Sequence, residues 1–500
     1  MHPRDYAAIT PDHPAVIMAG SGETMSYGQL ESQANRIAHW LRAQGIERGD
    51  TIAVLMENCP EFLAICWAAQ RSGLYWTCIS PRLLPSEVLY IASDCAARIV
   101  FCSQTTAPLL AELVQAGLPV ALVAARGSVD GMIDLPSALA DLPDWPMANE
   151  TQGTDLLYSS GTTGRPKGIR RPMPDGPIDQ PPNLVRLMTS YFCISKGCRY
   201  LCPAPLYHAG PLRWSMGIQM LGGTVVVMEK FDPEQALALI ERHGIEAGQF
   251  VPTHFTRILK LAPEIRARHD LSSLRSVVHA AAPCPAEIKR AMIDWLGPVV
   301  YEYYSSTEGN GLCAINSAEW LAHPGSVGRA FVGKLHICDE AGEPVDSGVT
   351  GQVYFEGGWP LSYHDDPEKT AASHNRHGWS TIGDIGWADA EGYLHLTDRK
   401  DYMIISGGVN IYPQEVEDRL IAHPRVHDAA IIGRPDADLG ERVVAFVQPI
   451  ESPDDETAFA AELAAYLKSQ VSSVKVPREF VFVTELPRSE TGKLNKRLLS

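Results

Sequence analysis

Residues 50–80 read DTIAVLMENCPEFLAICWAAQRSGLYWTCIS, and the order of apolar runs within them decides the fold. A short run, DTIAVLM, comes first; a longer mixed run opening on proline, PEFLAICWAAQRSG, follows; YWTCIS is short and apolar again. Strand, helix and strand in succession predict a doubly wound α/β sheet. The alternation continues through PSEVLYIASDC, ARIVFCS, APLLAELVQAG and PVALVAA, and a second series runs from about 198 to 300 with RYLCPAP, GGTVVVME, PEQALALIERHG and SSLRSVVHAA. Two related halves are expected, although no sequence repeat marks them.

Beyond residue 330 the character changes. KLHICDEAGEPVDSGVTGQVYFEG and GYLHLTDR read as hairpin strands with Gly-rich turns. The last hundred residues hold a helix pattern, PQEVEDRLIAH, then strands HDAAIIG and ERVVAFVQP, a helix in ETAFAAELAAYLKSQ and a strand in REFVFVTEL. The fold class expected is therefore α/β: a large N-terminal domain of doubly wound βα layers with a β-rich subdomain, spanning 1–398, and a small α+β C-terminal domain, 399–500. The Pro-rich MPDGPIDQPPN at 173–183 reads as a surface loop.

With 500 residues, 45% hydrophobic and 20% charged, the composition is that of a globular enzyme of two or three domains. Lys plus Arg number 42 against 59 Asp plus Glu, and the net charge of -17 opposes nucleic acid and anionic lipid as partners. Eleven cysteines are scattered without a C-x-x-C pair. Cys193, Cys198 and Cys202, near His208, match no zinc spacing and read as buried small hydrophobes. The N-terminus has no signal pattern, and no apolar run reaches the roughly 18 residues of a membrane span, so a cytoplasmic protein without a transmembrane segment is expected.

The chemistry is carried by YSSGTTGRPKG at 158–168, in which glycines, small hydroxyl residues and Lys167 suit an anion cradle. Pro166 before Lys167 and Gly168 after it break the Walker A pattern, and Gly161, Gly164 and Gly168 have the wrong spacing for a dinucleotide fingerprint. The run instead resembles the phosphate-binding signature of the adenylate-forming superfamily: acyl-CoA synthetases, peptide-synthetase adenylation domains and beetle luciferases. Further motifs of that superfamily follow in order across nearly the whole chain.

The resemblance implies roles residue by residue. Ser159, Ser160, Gly161, Thr162, Thr163, Gly164 and Lys167 would hold the phosphates of ATP. In YYSSTEG, Tyr304 would stack on adenine, Thr307 contact the α-phosphate and Glu308 hold Mg²⁺; Ser305 stands where the usual pattern has glycine. Ala282 and Pro283, in HAAAP, would form the other wall of the adenine slot. Asp384, in STIGDIGW, would accept the ribose hydroxyls, and Arg399 would contact ribose or phosphates. Asp401 resembles the hinge of a mobile small domain, Gly407 and Gly408 the loop over a coenzyme A tunnel, and Lys493 the catalytic lysine. His208, in PAPLYHAGPL, resembles the residue at the mouth of the acyl pocket.

The function implied is ATP-dependent activation of a carboxylic acid to acyl-AMP, then transfer to coenzyme A. YHAGPLRWS lacks the aspartate by which peptide-synthetase relatives grip an amino acid, and the candidate pocket segments YHAGPLRW, GQFVPTHF, HAAAPCP and EGNGLCAI are apolar or small. They predict a hydrophobic acid: fatty, aryl or polycyclic. Arg213 is expected to face solvent, the alternative being a pairing with a second carboxylate of the substrate. The alternatives are a stand-alone enzyme loading a carrier protein and a non-catalytic adenylate-binding protein; a homodimer is left open.

Overall fold

A computed structural model of the protein describes residues 1–159, 166–399, 402–406, 409–436, 439–488 and 494–499, with backbone alone at Ser159 and Asn410. Among these residues the strands form four sheets. In the first, Ala121–Arg126, Ala97–Ser103, Thr51–Leu55 and Tyr75–Cys78 lie side by side and parallel, and Thr154–Ser159 continues the sheet. Lys167–Arg170 closes that edge in antiparallel pairing with Thr154–Ser159. All five residues of Thr51–Leu55 are buried, which is why the run shows no polar alternation: helices cover both faces of a parallel sheet.

The second sheet repeats the plan. Ser276–His279, Ala247–Phe250, Arg199–Cys202 and Thr224–Val227 stand side by side in parallel, in the same spatial order relative to the chain as the four central strands of the first sheet. The two related halves expected from the pattern are thus present as topology. Helix signals fall where the chemistry requires them. Pro233–His243 starts with Asp232 accepting the Gln235 N–H at 2.8 Å and a proline in its first turn, and stops at Gly244, whose φ of 55° suits a residue without Cβ. Helices Tyr27–Ala43, Pro60–Arg71 and Ala209–Met220 pack with both large sheets into one core centred on Trp67, Trp214 and Tyr27.

Lys334–Cys338, Gly351–Glu356, Asp384–Ala388 and Leu394–Arg399 form the antiparallel sheet read from the hairpin pattern. The C-terminal sheet joins Val409–Ile411, Ile404–Ser406, Gly440–Pro449, Val426–Asp436 and Glu479–Phe482, with helices Pro413–Ile421 and Glu456–Lys468 contributing to its core. Lys260 reaches across to this unit, its Nζ 3.1 Å from both His427 Nδ1 and the His427 carbonyl. Among the described residues no helix is long and apolar enough to cross a membrane.

Three expectations are corrected. The 173–183 segment is no plain surface loop: Ile178 is buried, its carbonyl accepts from Gln70 Nε2 at 3.0 Å, and the Gln180 carbonyl accepts from Gln152 Nε2 at 3.2 Å. Two buried glutamines hold it against the body of the protein as a cavity wall. Cys198 and Cys202 are buried as expected, but Cys193 is exposed, in a left-handed turn with φ of 54°. Arg213 does not face solvent, as described below.

Candidate active site

Strands Tyr75–Cys78, Thr154–Ser159, Arg199–Cys202, Ala247–Phe250, Ser276–His279 and Val300–Tyr304, from both large sheets, meet one cavity of about 1810 Å³, the position at which open α/β sheets bind ligands. Pro166 and Lys167 line it, and the loops after Arg199–Cys202, Ser276–His279 and Val300–Tyr304 open onto it. Of the residues singled out in the sequence, Lys167, His208, Ala282, Pro283, Tyr304, Thr307, Glu308, Asp384 and Arg399 line this cavity together. Ser160, Gly161, Thr162, Thr163, Gly164, Asp401, Gly407, Gly408 and Lys493 lie outside the described residues, and Ser159 contributes backbone only. Arg488 and Leu494 pair as a β-bridge and line the cavity from the C-terminal unit.

Asp384 and Arg399 are direct cross-strand partners, which brings together residues from two separate motifs. Asp384 is 6% exposed; its Oδ2 accepts from the Tyr304 hydroxyl at 2.6 Å, and its Oδ1 lies 3.2 Å from Arg399 Nε. The Tyr304 ring stacks on Phe355 with centroids 6.3 Å apart, and burial followed by the Asp384 charge pushes its hydroxyl well above the usual tyrosine range.

The loop from Ser305 to Gly311 needs no glycine at its first position. Ser305 is absent from the left-handed φ region among the described residues, and its hydroxyl donates to the Gly311 carbonyl at 2.8 Å. Serine therefore ties the loop shut where glycine would leave it free. The opposite wall is the HAAAP turn, where Ala281 is held at φ of 76°, a conformation costly for a residue with a Cβ. Behind it Lys289, 1% exposed, pairs with Glu302, and His279 Nε2 lies 3.6 Å from the same carboxylate. This buried group anchors the turn and the adjoining strand to each other.

Glu308 faces the cavity beside Tyr363, whose hydroxyl donates to Oε1 at 3.4 Å. No cluster of three or more His, Cys, Asp or Glu that could hold a metal occurs among the described residues. A single carboxylate suits Mg²⁺, which keeps most of its water and binds through one or two carboxylates plus substrate phosphates.

On the cavity wall, Arg213 grips Asp155 with two bonds, Nε–Oδ2 at 2.6 Å and Nη2–Oδ1 at 2.9 Å. Burial alone would raise the Asp155 carboxyl, but Arg213 and, more weakly, Arg171 hold it below the usual range. Arg171 donates to the Thr307 carbonyl at 3.4 Å, and the neighbouring Arg213 charge, with burial, pulls its guanidinium down to about 10. Two guanidiniums thus share one buried carboxylate. Trp214, stacked on Tyr303 with centroids 6.2 Å apart, closes the far wall. His208 caps the helix that carries Arg213 and Trp214, its ring against Tyr207 with centroids 4.5 Å apart.

Sequence reasoning missed Asp155, Arg171, Tyr303, Tyr363 and Lys369, all of which line this cavity. The charge of Arg171, in a run leaving the Lys167 motif, and the place of Tyr303 at the head of YYSSTEG were visible signals; Asp155, Tyr363 and Lys369 meet the site through contacts between distant parts of the chain.

This geometry is that of a known family. The model for AMP-binding enzymes matches residues 4–361, and the model for the AMP-binding enzyme C-terminal domain matches residues 415–493. A feruloyl-CoA synthase of Amycolatopsis is 32% identical over 494 residues, covering 98% of this chain and 96% of the relative. A long-chain-fatty-acid–CoA ligase of Mycobacterium tuberculosis is 30% identical over 508 residues, covering 99% and 96%. The o-succinylbenzoate CoA synthetase of Bacillus subtilis, solved in complex with its acyl-adenylate intermediate, superposes with a TM-score of 0.84 at 25% identity, covering 100% of this chain and 97% of its own. The chain belongs to the AMP-binding enzyme family and carries both that family's large domain and its C-terminal domain.

Proposed function

We propose that the protein is an AMP-forming carboxylic acid–CoA ligase whose acid is hydrophobic, with an aryl or aliphatic tail. The carrying observation is one continuous cavity that joins the Tyr304, Asp384 and Arg399 cluster to an end walled by Tyr207, Trp214 and Tyr303. The relatives support the class of reaction, being ligases named for feruloyl and long-chain fatty acids. Trp214 at 1% and Tyr207 at 8% exposure offer a tail an apolar, dry wall, and each buried methylene contributes about 0.8 kcal/mol to binding.

In the first half-reaction the acid's carboxylate oxygen attacks the α-phosphorus of ATP, and the bond to pyrophosphate breaks. Tyr304 holds the adenine face, Ala282 and Pro283 its other side, and Asp384 with Arg399 the ribose. Thr307 sits at the α-phosphate, Lys167 and the 159–164 run at the departing phosphates. Glu308 would hold Mg²⁺, which when bound neutralises phosphate charge. Lys493 stabilises the charge that develops between carboxylate and phosphate, the form of catalysis in which placed cations are most effective. Its neighbour Leu494 lies at the cavity.

In the second half-reaction a thiolate attacks the acyl carbonyl and AMP leaves. Rotation about Asp401 withdraws Lys493 and brings Gly407 and Gly408 to the thiol's path, with His208 at the mouth of the acyl end. The test is pyrophosphate release from ATP and Mg²⁺ with a panel of fatty, cinnamic, benzoic and polycyclic acids, each with and without coenzyme A. Turnover that needs both a hydrophobic acid and coenzyme A is expected. Release across the panel that is indifferent to coenzyme A, or none with any acid, refutes the reading.

A further inference from the structure

The segment after the Gly351–Glu356 strand folds back onto the phosphate motif. The His364 N–H donates to the Gly168 carbonyl at 2.8 Å, and Ile169 and Tyr363 form an antiparallel bridge. This pairing puts Tyr363 between two functional groups. Its hydroxyl donates to Glu308, and its ring carries the Lys369 ammonium 4.1 Å from the centroid. Helix Pro367–Ala372 presents Lys369, with Asp366 Oδ1 accepting the Lys369 backbone N–H at 2.9 Å and so fixing the helix start. Lys369 and Lys167 then stand within hydrogen-bonding reach of each other at the cavity wall.

Two ammonium groups side by side repel, and a fold keeps such a pair at low cost only where an anion joins it. Neither is among the salt bridges of the described residues. Burial, and then the neighbouring Lys167, push the Lys369 ammonium down to about 8, more than the Glu308 and Asp366 carboxylates raise it. The Tyr363 face offsets part of this through cation–π attraction.

We propose that Lys369, seated on Tyr363 beside Lys167, is a second cation for the leaving pyrophosphate of the adenylation step. This rests on the ligase reading above. Lys167 alone would meet one phosphate; the pair spans two, with Glu308 on the same tyrosine for the metal that accompanies them. Lys369 acts by binding and orienting the diphosphate, so that it departs along one direction from the α-phosphorus.

The test titrates magnesium pyrophosphate into the protein by calorimetry, with AMP titrated separately into the same preparations. Lys369→Met is expected to weaken pyrophosphate binding by about 10-fold, Lys369→Arg to restore most of it, and both to bind AMP as the wild type does. Wild-type pyrophosphate affinity in Lys369→Met overturns the inference, as does failure of Lys369→Arg to restore it. Unchanged AMP binding shows that the variants are folded. A wild-type protein that binds neither AMP nor pyrophosphate sinks the ligase reading itself, whereas one that binds AMP but not pyrophosphate overturns only this inference.

Discussion

Asp155→Asn should be among the most damaging single changes on the cavity wall, and worse than removing its partner. Asp155 is 5% exposed and takes both bonds from Arg213, while Arg171 also favours its charge. Removing one member of a buried pair costs about 3–5 kcal/mol, because the other charge stays buried. Arg213→Met leaves Asp155 with Arg171, so its cost falls near the lower bound, about 3 kcal/mol. Asp155→Asn leaves the Arg171 and Arg213 guanidiniums without the carboxylate that favours both, and the repulsion that already lowers Arg171 adds to the cost. Its cost lies at or above the upper bound. The double variant Asp155→Leu with Arg213→Met removes both charges together and recovers most of the loss. Thermal unfolding followed by tryptophan emission, to which Trp214 contributes beside Tyr303, reads the order directly. Each kcal/mol moves a large domain's midpoint by about 2 °C, so the two single variants should differ by a few degrees, with Asp155→Asn lower. If Asp155→Asn melts no lower than Arg213→Met, or if the double variant melts at the sum of the two losses, the shared-carboxylate account is wrong.

Asp384→Asn keeps the shape but removes the charged acceptor shared by Tyr304 and Arg399; AMP affinity should fall by about 100-fold, since hydrogen bonds to charged groups are worth about 1.5–3 kcal/mol each, and calorimetry that finds a loss under 3-fold would remove Asp384 from the ribose site. Tyr303→Ala opens the wall beside Trp214, so kcat/KM for an acid two methylenes longer than the wild type's best should rise by about 10-fold; an unchanged chain-length profile would place the tail elsewhere. Asp418 gives a pH dependence. Burial raises its carboxyl to about 7, against the Gln414 hydrogen bond that lowers it. Its folded-state value exceeds its unfolded one, so its contribution is intact below about pH 4 and is lost as pH rises through 7, by at most about 4 kcal/mol. Asp418→Asn should therefore melt higher than wild type at pH 8 and alike at pH 4; the same difference at both values would refute the assignment.

The residues of the candidate site were legible where chemistry is local. Lys167, Tyr304, Thr307, Glu308, Asp384 and Arg399 each sit in or beside a short motif that the sequence shows, and they line one cavity. Lys369 was not legible, because its run, DPEKTAA, is that of an ordinary capped helix. What makes it part of the site is the pairing of the 363–364 segment with Gly168 and Ile169, a contact between distant parts of the chain. Arg213 was misread for the same reason: its partner Asp155 lies on a strand of the other large sheet, and no spacing along the chain connects them.

The sequence by itself determined the elements and the class of fold. Apolar runs such as TIAVL and VVV can be satisfied only in sheets covered on both faces, and Asp232, Pro233 and Gly244 mark helix ends by backbone geometry alone. Only the tertiary structure decided the charge arrangement: which carboxylate two arginines share, which lysine stands beside Lys167, and which loop becomes a cavity wall. Periodicity is a property of neighbours along the chain and is written in order. Electrostatic partnership depends on distance through space and on burial, and those exist only once the sheets have closed on one another.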